Sequence, residues 1–405
     1  MVPRTDEASL KAPTLLLLAG ETSGDQHGSH VARELRARFP HARLLGTGGA
    51  AMEAEGVELL EGLDEMAVMG FAEVVSRLPF FWRLERRIRK LVESGEIDLV
   101  LPIDYPGFNL RVTEHAHATG VPVVFYIAPQ VWAWKAGRTA RLARATDRIA
   151  VILPFEEEIF RAEGGRAEYV GHPLLDRDDE LPDLQVFSSR WGLDPSRPIL
   201  ALFPGSRKQE IRRHAGPFLA AGRDVQAARP HVQVVVARAP GLNPALLRSS
   251  WEGPEDLRPR EVGDSRSLLR HARVALVKSG TSTLEAALEG TPFAVAYRTH
   301  PLTWQIARRV VRVDHVALAN LVAGRGVVPE FLQSDVSSRV LTPALLELLD
   351  DTPAREKMLR ELAGIRERLG SPGAARRVAE LVAEVLEERA VEGRPPSDPT
   401  RGSRS

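Results

Sequence analysis

The sequence predicts an α/β protein built from two successive parallel-sheet halves, and three observations carry that expectation. The chain has 405 residues, too many for one compact core when domains commonly hold about 100–200 residues. Strand-like apolar runs alternate with helical patterns from end to end, which favours parallel sheets over a sandwich or a helix bundle. After a stretch from Glu156 to Pro182 rich in Gly, Pro and acidic residues, the alternation starts again, as it does where a second domain begins.

Taken in order, Thr14–Ala19 reads as a buried strand, followed by a Gly-rich turn and a helix over Val31–Phe39. Its Leu15–Leu18 run is too short for the apolar core of a signal peptide, and no run nears the ~18 residues that span a bilayer. Leu99–Ile103, Val121–Tyr126 and Arg148–Leu153 read as three further strands, and Glu156–Pro182 as a linker. The second half offers strands at Ile199–Phe203, Val232–Val236, Val274–Val277 and Phe293–Tyr297. Helical patterns over 354–369 and 373–390 precede a Pro-, Ser- and Arg-rich tail. The expected domains are 1–173 and 174–370, with 371–390 a C-terminal helix packing back on the first domain and 391–405 disordered. Two such sheets are expected to face each other across a cleft, with ligands at the carboxyl ends of the strands.

Composition narrows the function. Hydrophobic residues at 43% and charged residues at 27% exclude wholesale disorder. Fifty-four basic residues balance fifty-four acidic ones, so the general field that nucleic-acid binding needs is absent. Zero cysteines remove disulfides, thiolate nucleophiles and thiolate-held metals, and fit a reducing, cytoplasmic compartment.

Candidate site residues cluster where the strands end. The turn after the first strand, Gly20-Glu21-Thr22-Ser23-Gly24-Asp25, lacks the G-x-G-x-x-G spacing, and its two carboxylates would repel a pyrophosphate. Glu21 and Ser23 suit a hydroxylated ligand, and Asp25 either joins them or caps the following helix. Asp104, at the end of Leu99–Ile103, suits a general base if burial lifts its pKa; its alternative is to cap its own loop. Gln130, Trp132 and Trp134 follow another strand, the tryptophans offering flat apolar faces to a sugar or acyl chain, or else filling the core. His172, beside the expected hinge, is a further ligand contact, and the remaining histidines lack metal-ligand spacing.

The second half carries the phosphate signals. Gly205-Ser206-Arg207-Lys208 and Ser279-Gly280-Thr281 each join a strand to a helix start, where free N–H groups and the helix dipole favour an anion. Arg207 adds a bidentate cation. Ordinary N-caps explain either turn alone, and neither is a Walker loop. Glu285 reaches either a ribose diol or its own helix end. The D-x-D string at Asp176 lies in the polar linker and reads as solvated, so no metal and no cofactor is expected.

One segment speaks to location. Between Arg77 and Lys90 stand six basic residues and one acidic residue, interleaved with Phe80, Phe81, Trp82, Leu84 and Ile88. Phe80, Phe81, Trp82, Arg83, Arg86 and Arg87 fit an interfacial helix on an anionic membrane surface; the alternative packs its apolar stripe on the sheet. A second patch, five arginines against Asp314, runs from Arg298 to Arg325.

Together these motifs resemble the lipid-A-disaccharide synthase family from about Leu15 to Leu332. The pieces are Ala19-Gly20-Glu21-Thr22-Ser23-Gly24-Asp25, Met66-Ala67-Val68-Met69-Gly70, Val131-Trp132-Ala133-Trp134, Leu153-Pro154-Phe155-Glu156, Pro204-Gly205-Ser206-Arg207, Ser279-Gly280-Thr281, and Asn320-Leu321 followed by Ala323-Gly324-Arg325. The resemblance implies a glycosyltransferase-B fold of two Rossmann-like domains. It implies inverting transfer of 2,3-diacylglucosamine from UDP-2,3-diacylglucosamine to the 6-hydroxyl of 2,3-diacylglucosamine 1-phosphate, at the cytoplasmic face of the inner membrane. A homodimer is compatible with it. On the same analogy Asp104 is the base, Arg207 and Ser279–Thr281 hold the diphosphate, Glu285 holds the ribose, and Glu21 and Asn320 are active-site residues. Where the family often carries a second acid this chain has Gly107, which leaves Asp104 alone. A UDP-sugar epimerase and a non-catalytic sugar- or lipid-binding module are the competing readings of the same frame.

Overall fold

Leu15, Leu16, Leu17 and Leu18 have no exposed surface, so the strand that carries them must be covered on both faces. That is the condition that makes parallel strands read as unbroken apolar runs. The computed structural model of the protein describes residues 12–66, 71–129, 136–177, 180–301, 303–305 and 314–391. The chain divides into two compact units, Met1–Asp176 with Ser371–Ser405, and Arg177–Gly370.

The first unit holds β1 (Thr14–Ala19), β2 (Arg43–Gly48), β3 (Glu58–Gly62), β4 (Leu99–Ile103), β5 (Val124–Tyr126), β6 (Arg148–Val151) and β7 (Ala167–Tyr169). They form a parallel sheet in the order β3-β2-β1-β4-β5-β6-β7. The period of two along β1 sends Leu15 and Leu17 to one core and Leu16 and Leu18 to the other. The first core also takes Val31 and Leu35 of the helix Thr22–Arg38, and Val378, Leu381, Val382 and Val385 of the C-terminal helix Ala374–Val391. The second takes Leu84 and Ile88 of the helix Phe71–Glu93, with Phe108 and Val112 of the helix Pro106–Thr119.

The second unit repeats the plan with β8 (Ile199–Phe203), β9 (Gln233–Ala237), β10 (Arg260–Val262), β11 (Val274–Lys278), β12 (Phe293–Tyr297) and β13 (Glu330–Leu332), in the order β10-β9-β8-β11-β12-β13. All its pairings are parallel. In both sheets the chain leaves the first strand toward one edge and later resumes on its other side. The switch points therefore fall between β1 and β4 and between β8 and β11, where ligands settle in open α/β sheets.

Three expectations need correction. The turn at 20–28 is mostly helix, because the following helix begins at Thr22 rather than Val31. Glu156–Pro182 is not a linker: it folds as the helix Glu156–Ala162, strand β7 and a 3₁₀ turn over Pro173–Asp176, all in the first unit. Asp176 is not merely solvated. Its carboxylate accepts from the N–H groups of Gly373 (2.6 Å), Ala374 and Ala375 (3.4 Å each), capping the start of the C-terminal helix.

Candidate active site

In the first unit the ends of β1 and β4 lie side by side, Ala19 opposite Ile103. This brings the turn at Gly20 and Glu21 beside the turn at Asp104 and Tyr105. Asp104 and Tyr105 both have left-handed backbones, φ 49° and 51°, and Ile127 at the end of β5 has φ 60°. Each such residue costs about 1–3 kcal/mol and persists only where its surroundings fix it. Asn109 does much of the fixing. Its buried side-chain amide donates to the carbonyls of Leu18 (3.0 Å), Ile103 (3.3 Å) and Asp104 (2.7 Å), tying the ends of β1 and β4 together. The Asp104 N–H in turn donates to the Tyr126 carbonyl at 2.9 Å.

Gly20 is required by contact rather than by its own conformation: a Cβ there would lie 2.4 Å from two ring carbons of Tyr105. The Tyr105 ring thus lies on the Gly20 backbone. Burial raises its phenol pKa, and the nearby Glu21 carboxylate raises it further against a weaker opposing pull from Arg111. Glu21 and Ser23 are exposed at the start of the helix that follows β1.

Other residues expected here sit elsewhere. Asp25 is a cap, but of a different helix than expected. Its carboxylate accepts from Gly49 (2.7 Å), Met52 (3.0 Å) and Ala51 (3.2 Å) at the start of the short helix after β2. His172 is buried after the edge strand β7, its Nδ1 accepting from the Leu174 N–H at 3.1 Å. That places it three strands, roughly 14 Å, from β4. Gln130, Trp132 and Trp134 lie outside the described residues.

In the second unit Phe203 pairs with Val277, so the turns after β8 and β11 are neighbours at the switch point. A residue that the sequence did not single out joins them. Glu210, in the first turn of the helix Lys208–Ala228, accepts from the N–H groups of Ser206 (3.0 Å) and Arg207 (3.3 Å). Its other oxygen takes the Lys278 ammonium at 2.8 Å. Burial pushes the Glu210 pKa up, but Lys278 and the two N–H groups outweigh it and hold the carboxyl below its usual range. Those two amides are therefore committed within the protein, which corrects the expectation of free N–H groups at this turn.

Around the second turn, the Ser279 hydroxyl donates to the Val316 carbonyl at 2.6 Å. Gly280 has φ +151°, a conformation open to glycine. Among the described contacts, the Glu285 Oε1 receives Arg177 at 2.9 Å. His214 links this helix to the end of β12, its Nε2 accepting from the Arg298 N–H (2.9 Å) and its Nδ1 facing the Glu210 carbonyl (2.8 Å). Burial lowers its pKa, so the ring is neutral with its proton on Nδ1.

Asn320 does not present its amide to a ligand, and this corrects the expectation. It is 1% exposed, donates to the Val328 carbonyl (2.9 Å) and Glu330 (2.8 Å), and accepts from the N–H groups of Val327 (2.8 Å) and Val328 (2.9 Å). Both donors and both lone pairs are used. Glu330 also receives the N–H groups of Val316 and Ala317, each at 3.0 Å, so the pair shapes the loop that anchors Ser279.

The profile of the lipid-A-disaccharide synthetase family matches residues 15–381. The chain belongs to the lipid-A-disaccharide synthase family. A synthase from Acidobacterium capsulatum is 38% identical over 398 residues, covering 94% of this chain and 98% of its own. One from Myxococcus xanthus is 39% identical over 374 residues, covering 92% and 98%. Membership in the synthase family makes the protein a UDP-sugar-dependent glycosyltransferase of lipid A biosynthesis and sets aside the epimerase and binding-module readings. Solved structures share the fold at low identity. UDP-GlcNAc 2-epimerase from Neisseria meningitidis bound to UDP-GlcNAc superposes with TM-score 0.60 at 12% identity, covering 93% of this chain and all of that one. The calicheamicin glycosyltransferase CalG4 gives 0.56 at 19%, covering 94% and all.

On the helix Phe71–Glu93 the sequence reading is half corrected. Leu84 and Ile88 are buried in the sheet core, with Phe80 and Phe81 packed against it, so these aromatics do not form an outward face. Arg87 is tied to the Leu60 carbonyl at 2.8 Å. Trp82 at 66% and Leu78 at 38% are exposed, beside the exposed Arg83 and Arg86. No helix among the described residues is long and apolar enough to cross a membrane.

Proposed function

We propose that the protein transfers 2,3-diacylglucosamine from UDP-2,3-diacylglucosamine to the 6-hydroxyl of 2,3-diacylglucosamine 1-phosphate, inverting the anomeric carbon and releasing UDP. The observation that carries the reading is the occupancy of the two switch points: a strained, clamped aspartate with Glu21 at one, and the Arg207 and Ser279–Thr281 turns at the other. Asp104 takes the proton from the acceptor hydroxyl as its oxygen attacks the anomeric carbon. The bond from that carbon to the diphosphate oxygen breaks on the opposite face, and its electron pair leaves with UDP. Arg207 and the Ser279–Thr281 turn stabilise the charge that develops on the diphosphate, while Glu285 accepts from the ribose diol. Gly107 supplies no second carboxylate, so Asp104 acts as the single base that inversion requires.

The exposed Leu78, Trp82, Arg83 and Arg86 seat the enzyme on the anionic inner-membrane surface, where both acylated substrates reside. The test supplies both substrates in mixed micelles and follows UDP and disaccharide by mass spectrometry. The parent enzyme forms disaccharide 1-phosphate, and Asp104→Asn turns over at least ~100-fold more slowly while still binding UDP. Normal turnover by Asp104→Asn removes the base assignment; a folded, UDP-binding parent that makes no disaccharide removes the substrate pair.

A further inference from the structure

We propose that Glu210 is a positioning residue for the diphosphate turn, acting through Arg207, and that Lys278 holds Glu210 in place. The proposal rests on the reading of the 205–207 turn as the diphosphate contact. Gly205 has φ +120°, and a Cβ there would lie 2.6 Å from the Glu210 Cβ, so the turn wraps closely around this side chain. The Glu210 carboxylate receives the N–H groups of the two residues that follow, Ser206 and Arg207. Fixing those two peptide planes fixes the direction in which the Arg207 side chain leaves the backbone. A flexible glycine turn without that anchor would have to be ordered by the ligand itself, at the ligand's cost in affinity.

Charge makes the arrangement work. A carboxylate beside a diphosphate is repulsive unless neutralised, and Lys278, from the end of the neighbouring strand β11, supplies the neutralising charge at 2.8 Å. Its ammonium also lies 5.8 Å from the centroid of the Tyr297 ring, which favours the cation where it stands. Glu210 and Lys278 thus form a brace between the turns after β8 and β11. Both side chains are largely buried, with 18% and 17% of their surface exposed, so water screens the pair only in part.

The experiment measures UDP affinity by titration calorimetry, and the KM of the UDP-sugar donor, for the full-length parent, Glu210→Ala, Glu210→Gln, Lys278→Met, Arg207→Ala and the doubles of Arg207→Ala with each of the others. Glu210→Ala is expected to weaken UDP binding by roughly tenfold or more, to raise the donor KM and, because Arg207 also meets the charge that develops on the diphosphate, to lower kcat. Glu210→Gln keeps an acceptor oxygen for the N–H groups and is expected to stay within about threefold of the parent. Because the effect runs through Arg207, the Arg207→Ala double variants are expected to bind no more weakly than Arg207→Ala alone. Full additivity, or Glu210→Ala binding UDP as tightly as the parent or tighter, overturns the proposal; tighter binding would make Glu210 a competing anion instead. Should Glu210→Ala not fold, Lys278→Met decides: a loss of about fivefold that vanishes in the Arg207→Ala background supports the brace, and a loss that persists there overturns it. A folded parent that binds no UDP overturns the underlying diphosphate reading itself, and the proposal with it.

Discussion

At Gly20 a single methyl group would disturb three residues at once. The Tyr105 ring has no slack: its backbone is held left-handed, and the Asn109 clamp fixes Asp104 before it. A Cβ 2.4 Å from the ring must push it toward Glu21 or lift the end of β1. Gly20→Ala is therefore expected to lower kcat/KM by about 10- to 100-fold and stability by about 1–3 kcal/mol. Gly20→Ala/Tyr105→Ala is expected to be no worse than Tyr105→Ala alone, because the clash has lost its partner. Steady-state kinetics and thermal melts of the three variants check this, and additive losses would locate the cost of Gly20→Ala somewhere other than the ring. At this scale the sequence points to Asp104, Glu21 and Arg207 as candidates, because a polar residue shortly after an apolar strand is visible locally. It hid Asn109, His214, Glu210 and Glu330, whose importance lies in partners that only the fold supplies. The Asn109 amide, for instance, meets a carbonyl 91 residues away.

Elements follow a similar rule. Every interior strand but one reads as an apolar run, whereas β3, β7, β10 and β13 were missed, and all four are sheet edges. Edge strands are half-covered and short, so residues such as Glu58, Glu168 and Arg260 are tolerated there and no apolar run is imposed. The interior exception, β2, is disguised by Gly46, where a Cβ would lie 1.9 Å from the Leu17 carbonyl oxygen; close backbone approach selects glycine over an apolar side chain. The helix Phe71–Glu93 has a basic, aromatic sequence that does not say which aromatics face outward; packing decides that, turning Phe80 and Phe81 toward the core and Trp82 away from it. Leu78→Ser/Trp82→Ser is thus expected to cut binding to anionic vesicles by about tenfold or more with the melting temperature unchanged. Leu84→Ser is expected to destabilise the protein by about 2–5 kcal/mol. Sedimentation with vesicles, paired with thermal melts, separates the two. Unchanged vesicle binding by the double variant would leave the membrane surface without its docking face.

Across the whole molecule, the chain enters the first unit, leaves it at Asp176 and returns at Ser371, so that unit is complete only when the last helix is in place. The join is specific as well as apolar. Val378, Leu381, Val382 and Val385 share a core with Leu15 and Leu17 of β1, Asp176 caps the returning helix, and Arg389 meets Asp147 at 2.8 Å. Arg148, 4% exposed, pairs with Glu388 as well as with Glu168 at 3.4 Å, so loss of the helix would leave a buried guanidinium with one of its two carboxylate partners. Burying four such side chains contributes about 1.5–3 kcal/mol each, together comparable with the roughly 5–15 kcal/mol that holds a whole domain folded. A chain ending at Gly370 is therefore expected to lose the first unit's cooperative melting transition while the Arg177–Gly370 unit, whose described strands all lie between Ile199 and Leu332, keeps its own. Differential scanning calorimetry of the truncated and full-length chains distinguishes the outcomes. Two transitions at undisturbed temperatures in the truncated chain would show that the first sheet holds without its returning helix, and that the shared core with β1 contributes far less than its buried area implies.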